Sequence, residues 1–212
     1  MSILDNISEA LQKGDHETVA QLTEQAIADK LGAQKILDDG LIAGMAVVGE
    51  KFKNHQIFLP HVLLAARAMY AGMDLLKPLM LKDNVKTIGK VVIGSVKGDL
   101  HDIGKNLVGI MLKGAGFEVI DLGSDVPPEK FVQTAIAENA DAIGMSALLT
   151  TTMVGMKDVI DLMKSNGIYG TVKVVIGGAP VTKEFAKEIG ADSYAFDGIN
   201  AVETLKSFIG AK

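Results

Sequence analysis

Up to about residue 84 the apolar positions recur at helical spacing. Leu4, Ile7 and Leu11 mark one face of a first helix; Val19, Leu22, Ala26 and Ile27 mark one face of a second. Gly14–Asp15 lies between them as a break followed by an N-cap. A third helix is predicted over Ala33–Phe52, ending near Lys53–Asn54. A fourth is predicted over His61–Met80, with Pro60 suited to its first position. Helices joined by short turns predict a small four-helix bundle. Leu81–Lys90 is charged and carries Gly89, so it reads as a linker. Residues 1–84 are therefore expected to form one domain and residues 85–212 a second.

From Lys90 the pattern changes to short β-branched runs alternating with helical stretches. Val91–Val96 precedes Ile103–Lys113, Glu118–Leu122 precedes Glu129–Glu138, and Ala142–Ser146 precedes Met153–Ser165. Val172–Ile176 then precedes Thr182–Ile189, and Ser193–Phe196 precedes Ala201–Ile209. Five βα units in succession predict an α/β fold, a parallel sheet covered by helices on both faces. A segment of this length and rhythm suits a flavodoxin-like, five-stranded sheet of order 2-1-3-4-5.

Composition narrows the class without naming it. The chain has 212 residues, 48% of them hydrophobic, a net charge of −5 and no cysteine. Disulfides, thiolate metal sites and cysteine nucleophiles are excluded. No stripe of lysine and arginine marks a nucleic-acid surface. No apolar run reaches the roughly 18 residues of a spanning helix, and Met1–Asn6 lacks a signal pattern. The expectation is a cytoplasmic protein with neither a nucleic-acid nor a membrane partner.

In a sheet of this order, ligands bind beyond the carboxyl ends of the strands, where the winding direction reverses. That places Lys97–Gly104, Ser146–Thr152 and Gly177–Pro180 together. The first loop reads Gly98-Asp99-Leu100-His101-Asp102-Ile103-Gly104. Asp99 could receive one imidazole nitrogen of His101 and leave the other outward, as partners of metal-bound histidines do. The same residues also fit an N-cap cluster, with Asp102 capping the helix and His101 solvated. A single imidazole cannot hold a bare ion, since zinc sites use three or four protein ligands. His16, His55 and His61 lie in the helical half, without ligand spacing to His101. If His101 is a ligand, its metal must arrive with most of its coordination filled, as in a macrocycle.

Asp99-x-His101-x-x-Gly104 is followed by Ser146-x-Leu148 after 41 residues (105–145), and by Gly177-Gly178 after 28 more (149–176). This resembles the cobalamin-binding signature, with each element at the end of a different predicted strand. Val96–Val108 is closer to methionine synthase and the corrinoid methyl carriers than to the mutases, and nearly the whole chain takes part, because those carriers begin with a four-helix cap. The resemblance implies cobalamin bound base-off, with His101 as the lower axial ligand to cobalt and Asp99 on its far nitrogen. Thr152 stands where methionine synthase has the serine that completes the relay. Ser146 and Thr150 would face the nucleotide tail, and Gly104, Gly177 and Gly178 would let the ligand approach the backbone. The loop from Tyr194 to Gly198 would close on the tail's end. Phe58 would sit over the cobalt, with Leu59, Ala65 and Met69 nearby; an apolar stripe in a bundle is otherwise simply its core.

The implied role is a non-catalytic carrier that cycles between cob(I)alamin and methylcobalamin. Its implied partners are a substrate:corrinoid methyltransferase, a methylcorrinoid:acceptor methyltransferase using coenzyme M or tetrahydrofolate, and a reductive activase. Methanol, methylamines, betaines and aryl methyl ethers are all open as donors. Other readings fit less well. A mutase subunit would need a separate catalytic barrel, and a cobalamin-sensing regulator an added signalling module. A receiver domain would need an aspartate where Ser146 stands, and a dinucleotide site a G-x-G-x-x-G after the first strand.

Overall fold

The first apolar stripe becomes the buried face of α1 (Ile3–Gln12), where Leu4, Ile7 and Leu11 are all buried. The computed structural model describes residues 2–83 and 87–209, and the chain divides near Thr87–Ile88 into two compact units. In the first, Asp15 caps α2 (His16–Ala28) by accepting the Thr18 N–H at 3.1 Å. The third predicted helix is continuous but not uniformly α-helical. It runs through α3 (Ala33–Lys35), a π-helical stretch Ile36–Ile42, and α4 (Ala43–Lys53). Ile36 and Leu41, five apart, are both fully buried, a spacing that a wider turn serves and an α-helix does not. Gly40 packs on Ile7, and Gly44 lies so close to α1 that a Cβ there would stand 3.0 Å from the Ser8 carbonyl oxygen.

The fourth helix, α5 (Leu59–Lys82), starts two residues earlier and ends two residues later than the predicted His61–Met80. Leu81 and Lys82 thus belong to the helix and Lys90 to the first strand, so the expected linker is shorter than Leu81–Lys90. Its centre, residues 84–86, and the expected boundary at 84/85 lie outside the described residues. Among the described residues, no helix is long and apolar enough to cross a membrane.

The second unit carries an all-parallel sheet of order β2-β1-β3-β4-β5. Its strands are β1 (Lys90–Ser95), β2 (Glu118–Asp121), β3 (Ala142–Ser146), β4 (Lys173–Gly177) and β5 (Ser193–Ala195). The central strands are buried on both faces, which is why Val91–Ile93 and Val174–Ile176 read as unbroken apolar runs. Residues of β1 alternate between two helical layers. Gly94 meets Phe131 of α7 (Pro128–Ala137), while Ile93 meets Gly109 of α6 (Ile103–Gly114). The α7 layer continues through α9 (Gly155–Ser165) and α10 (Lys183–Ile189), and the α6 layer through α11 (Gly198–Ile209).

Two element boundaries differ from expectation. The helix predicted over Met153–Ser165 is preceded by a separate turn, α8 (Thr150–Met153). Thr182 is the N-cap of α10, not its first residue, and accepts the Phe185 N–H at 3.1 Å. The break between α8 and α9 falls at Val154, whereas the Thr182 hydroxyl takes up a backbone donor at the start of α10.

Candidate functional site

The reversal of winding leaves the carboxyl ends of β1 and β3 side by side, with Ser95 registered against Ser146 and Ser146 against Gly177. Beyond Ser95 the chain turns through Gly98, whose φ of +82° is easy only for glycine, and delivers Asp99 to a position with no solvent exposure. Each oxygen of that carboxylate is engaged twice. Oδ1 accepts the His101 N–H at 3.0 Å and lies 2.8 Å from His101 Nδ1. Oδ2 accepts the Leu148 N–H at 2.7 Å and the Thr152 hydroxyl at 2.6 Å. Burial pushes the Asp99 carboxyl up, but the bonds from Thr152, Leu148 and His101 outweigh it and hold the group well below the usual carboxylate range.

An ionised Asp99 can only accept, so His101 Nδ1 carries the proton and Nε2 the lone pair. The His101 side chain is 50% exposed, and among the described residues nothing hydrogen-bonds Nε2. The imidazole is therefore held by one nitrogen and offered by the other. Of the two readings the loop allowed, the geometry matches the pairing. Asp102 makes no side-chain bond to a helix N–H; its carboxylate accepts the Asn106 side-chain amide at 3.0 Å.

Among the described residues, no group of three or more histidine and carboxylate side chains is arranged to hold a metal ion. The donor set thus fits a metal already enclosed by another ligand. The surroundings fit as well. Leu100 and Ile103, flanking His101, are 73% and 74% exposed, and Leu148 is 44% exposed. Gly104, on α6, has nothing within 4 Å of where a Cβ would stand. Large apolar side chains left bare beside an outward-facing imidazole nitrogen are a place for a flat, apolar-faced partner.

The other expected residues divide. Ser146 ends β3 on the α6 side of the sheet, and Thr150 opens α8, exposed. Gly177 and Gly178 serve the protein's own packing: a Cβ at Gly177 would stand 2.8 Å from the Ala195 carbonyl oxygen. One at Gly178, where φ is +126°, would stand 1.8 Å from that of Ala147. Bare of side chains, they let the ends of β3, β4 and β5 pack backbone against backbone. Tyr194 packs against the sheet core, Phe196 is 68% exposed, and Asp197 accepts the Asn200 N–H at 2.7 Å where α11 begins. In the helical unit, Phe58 precedes α5 and is 66% exposed, whereas Ala65 and Met69 are buried in the bundle core.

Some groups around the loop were not expected. Ser95, fully buried, donates to the His101 carbonyl at 2.7 Å. Asp125, at φ +55°, accepts the Gly98 N–H at 2.7 Å and donates its own N–H to the Asp99 carbonyl at 2.9 Å. Lys105 is buried against Asp121, at 2.5 Å, and the Asn106 side chain. The one available signal was Ser95 itself, a hydroxyl closing an otherwise apolar strand.

The comparisons agree with this geometry. Residues 89–206 match one B12 binding domain family and residues 3–77 a second of the same description. The chain belongs to the corrinoid protein family. It is 41% identical to a corrinoid protein of Desulfitobacterium hafniense, covering 99% of each chain. It is 45% identical to dimethylamine corrinoid protein 1 of Methanosarcina acetivorans, covering 98% of this chain and 97% of that one. A chain in the crystal structure of the methanol:cobalamin methyltransferase complex of Methanosarcina barkeri superposes with a TM-score of 0.89 at 32% identity. That match covers 99% of this chain and 80% of the other. Cobalamin is the cofactor of this corrinoid protein.

Proposed function

We propose that this corrinoid protein holds cobalamin with the His101 imidazole as a ligand to its cobalt and carries a methyl group between two methyltransferases. The first is specific for a methylated substrate; the second passes the group to an acceptor of the coenzyme M or tetrahydrofolate kind, with a reductive activase to restore the cofactor. The observation that carries the reading is the His101–Asp99 pair, an imidazole proton-anchored on one nitrogen and open on the other. When bound, the corrin cobalt supplies a nucleophile that takes up a methyl group and gives it away again.

The chain's own residues set the terms of that exchange. Asp99 keeps the proton on Nδ1 and so leaves Nε2 as the nitrogen free to coordinate. Thr152 and the Leu148 N–H keep the carboxylate ionised throughout. Leu100, Ile103 and Leu148 supply apolar surface to the ring and displace water from it. Relatives are named for dimethylamine and trimethylamine, and a similar chain sits in a methanol system, so methylated amines and methanol are the donors to assay first.

The test is the absorption and electron paramagnetic resonance of the cob(II)alamin-loaded protein. The parent should show nitrogen coupling from His101, and His101→Ala should keep the cobalamin but lose that coupling. Identical spectra would remove His101 from the cobalt.

A further inference from the structure

Beyond the carboxylate that orients the ring, a second group fixes the backbone of the ligand. Ser95 ends β1, facing α6 and α11, and has no solvent exposure. Its main chain is tied to the segment that follows β2: its N–H donates to the Gly123 carbonyl at 3.0 Å and its carbonyl accepts the Val126 N–H at 3.0 Å, while the next residue, Val96, donates to the Ser146 carbonyl of β3 at 3.0 Å. From that rigid position its hydroxyl reaches six residues ahead to the His101 carbonyl at 2.7 Å. The intervening loop is fixed at Gly98 and Asp99, by Asp125 and by the bonds of the Asp99 carboxylate, and then emerges with Leu100 and His101 exposed.

His101 is thus held at three atoms: Asp99 takes the ring nitrogen and the amide, and Ser95 takes the carbonyl. With Ser95 removed, the residue can pivot about its link to Asp99. A ligand bond tolerates such freedom poorly, because productive geometry has to be kept to within about 0.5 Å.

We propose that Ser95 is a positioning residue for the cobalt ligand: its buried hydroxyl, through the His101 carbonyl, sets how firmly the imidazole engages the cobalt. The proposal rests on the ligand reading above. It predicts a graded effect. The Ser95→Ala protein retains cobalamin, since the apolar loop residues and the tail site are untouched, but binds its own imidazole more weakly. The loss is about tenfold, the size expected for one net buried hydrogen bond.

The experiment is a spectroelectrochemical titration of the full chain loaded with cobalamin, reading the Co(II)/Co(I) midpoint. One electron enters the metal and the imidazole leaves it, so weaker binding to Co(II) raises the potential, by about 59 mV per tenfold for a one-electron couple. His101→Ala gives the upper limit of that shift. Ser95→Ala should lie between parent and limit, and Ser95→Thr, which keeps the hydroxyl on a strand that accommodates threonine, should match the parent. In a His101→Ala background, Ser95→Ala should add nothing, because the group it acts through is gone.

A Ser95→Ala potential equal to the parent's overturns the proposal. So does a shift that persists without His101, or one of equal size in Ser95→Thr. If His101→Ala itself leaves the parent potential unchanged, the ligand reading is what has failed, and the role of Ser95 falls with it.

Discussion

At the scale of single residues, the chemistry depends on an anion kept out of water. Asp99 stays ionised because four donors replace its hydration, so removing one should be costly. Thr152→Val should lower unfolding free energy by about 1–3 kcal/mol, as a buried acceptor losing its partner does. Thr152→Ser, which keeps the hydroxyl, should stay close to the parent in a denaturant titration; equal losses would mean the methyl group matters and the bond does not. The same carboxylate sets a pH dependence. An unfolded aspartate titrates near ~3.9, and the folded value is lower. Stability from Asp99 is therefore present above about pH 4 and is lost as the pH falls below that. Asp99→Asn should lose stability less steeply than the parent between about pH 4 and pH 2. Parallel acid limbs in the two proteins would contradict the assignment. Asp99 and His101 could be picked out in the sequence because they stand two apart in one loop. Their bonds to Leu148 and Thr152 join segments about 50 residues apart and show no local pattern.

At the scale of elements, two glycines of the same signature carry opposite demands. A Cβ at Gly178 would meet the Ala147 carbonyl at 1.8 Å, with φ at +126°, while one at Gly104 would meet nothing. Gly178→Ala should therefore destabilise the protein by about 3 kcal/mol or more, with a strained backbone and a carbonyl that cannot move aside. Gly104→Ala should leave the cofactor-free protein as stable, or more so by up to about 1 kcal/mol, because α6 gains a better helix former. It should nonetheless weaken cobalamin retention, if the open space beside it belongs to the ring. Thermal unfolding and a retention assay on the two variants separate these effects; unimpaired retention in Gly104→Ala would place the ring elsewhere. Glycine is the same letter in both places, and only the neighbouring chain distinguishes them. The π-helical stretch Ile36–Ile42 was illegible for a related reason. Its apolar positions satisfy an α-helical pattern, and the close approach of α1 to Gly40 and Gly44 is visible only in the fold.

At the scale of the molecule, cobalamin should stabilise whatever part of the chain holds it. Ligand at a hundredfold excess over its Kd adds about 2.7 kcal/mol, so the unfolding midpoint should climb with cobalamin concentration. A midpoint indifferent to cobalamin would contradict binding to the folded state. What the sequence determined by itself was whatever repeats along the chain. The alternation of β-branched runs with helical stretches predicted the sheet and its order, because burial on one or two faces imposes a period on neighbouring residues. The spaced signature likewise pointed to a cobalamin site before any contact was known. Tertiary structure alone decided which donors keep Asp99 ionised, why Gly177 and Gly178 must be bare, and that Ser95 holds the His101 carbonyl. These are contacts between segments far apart in the chain, and their energy depends on distance in space, which no local pattern of residue types records.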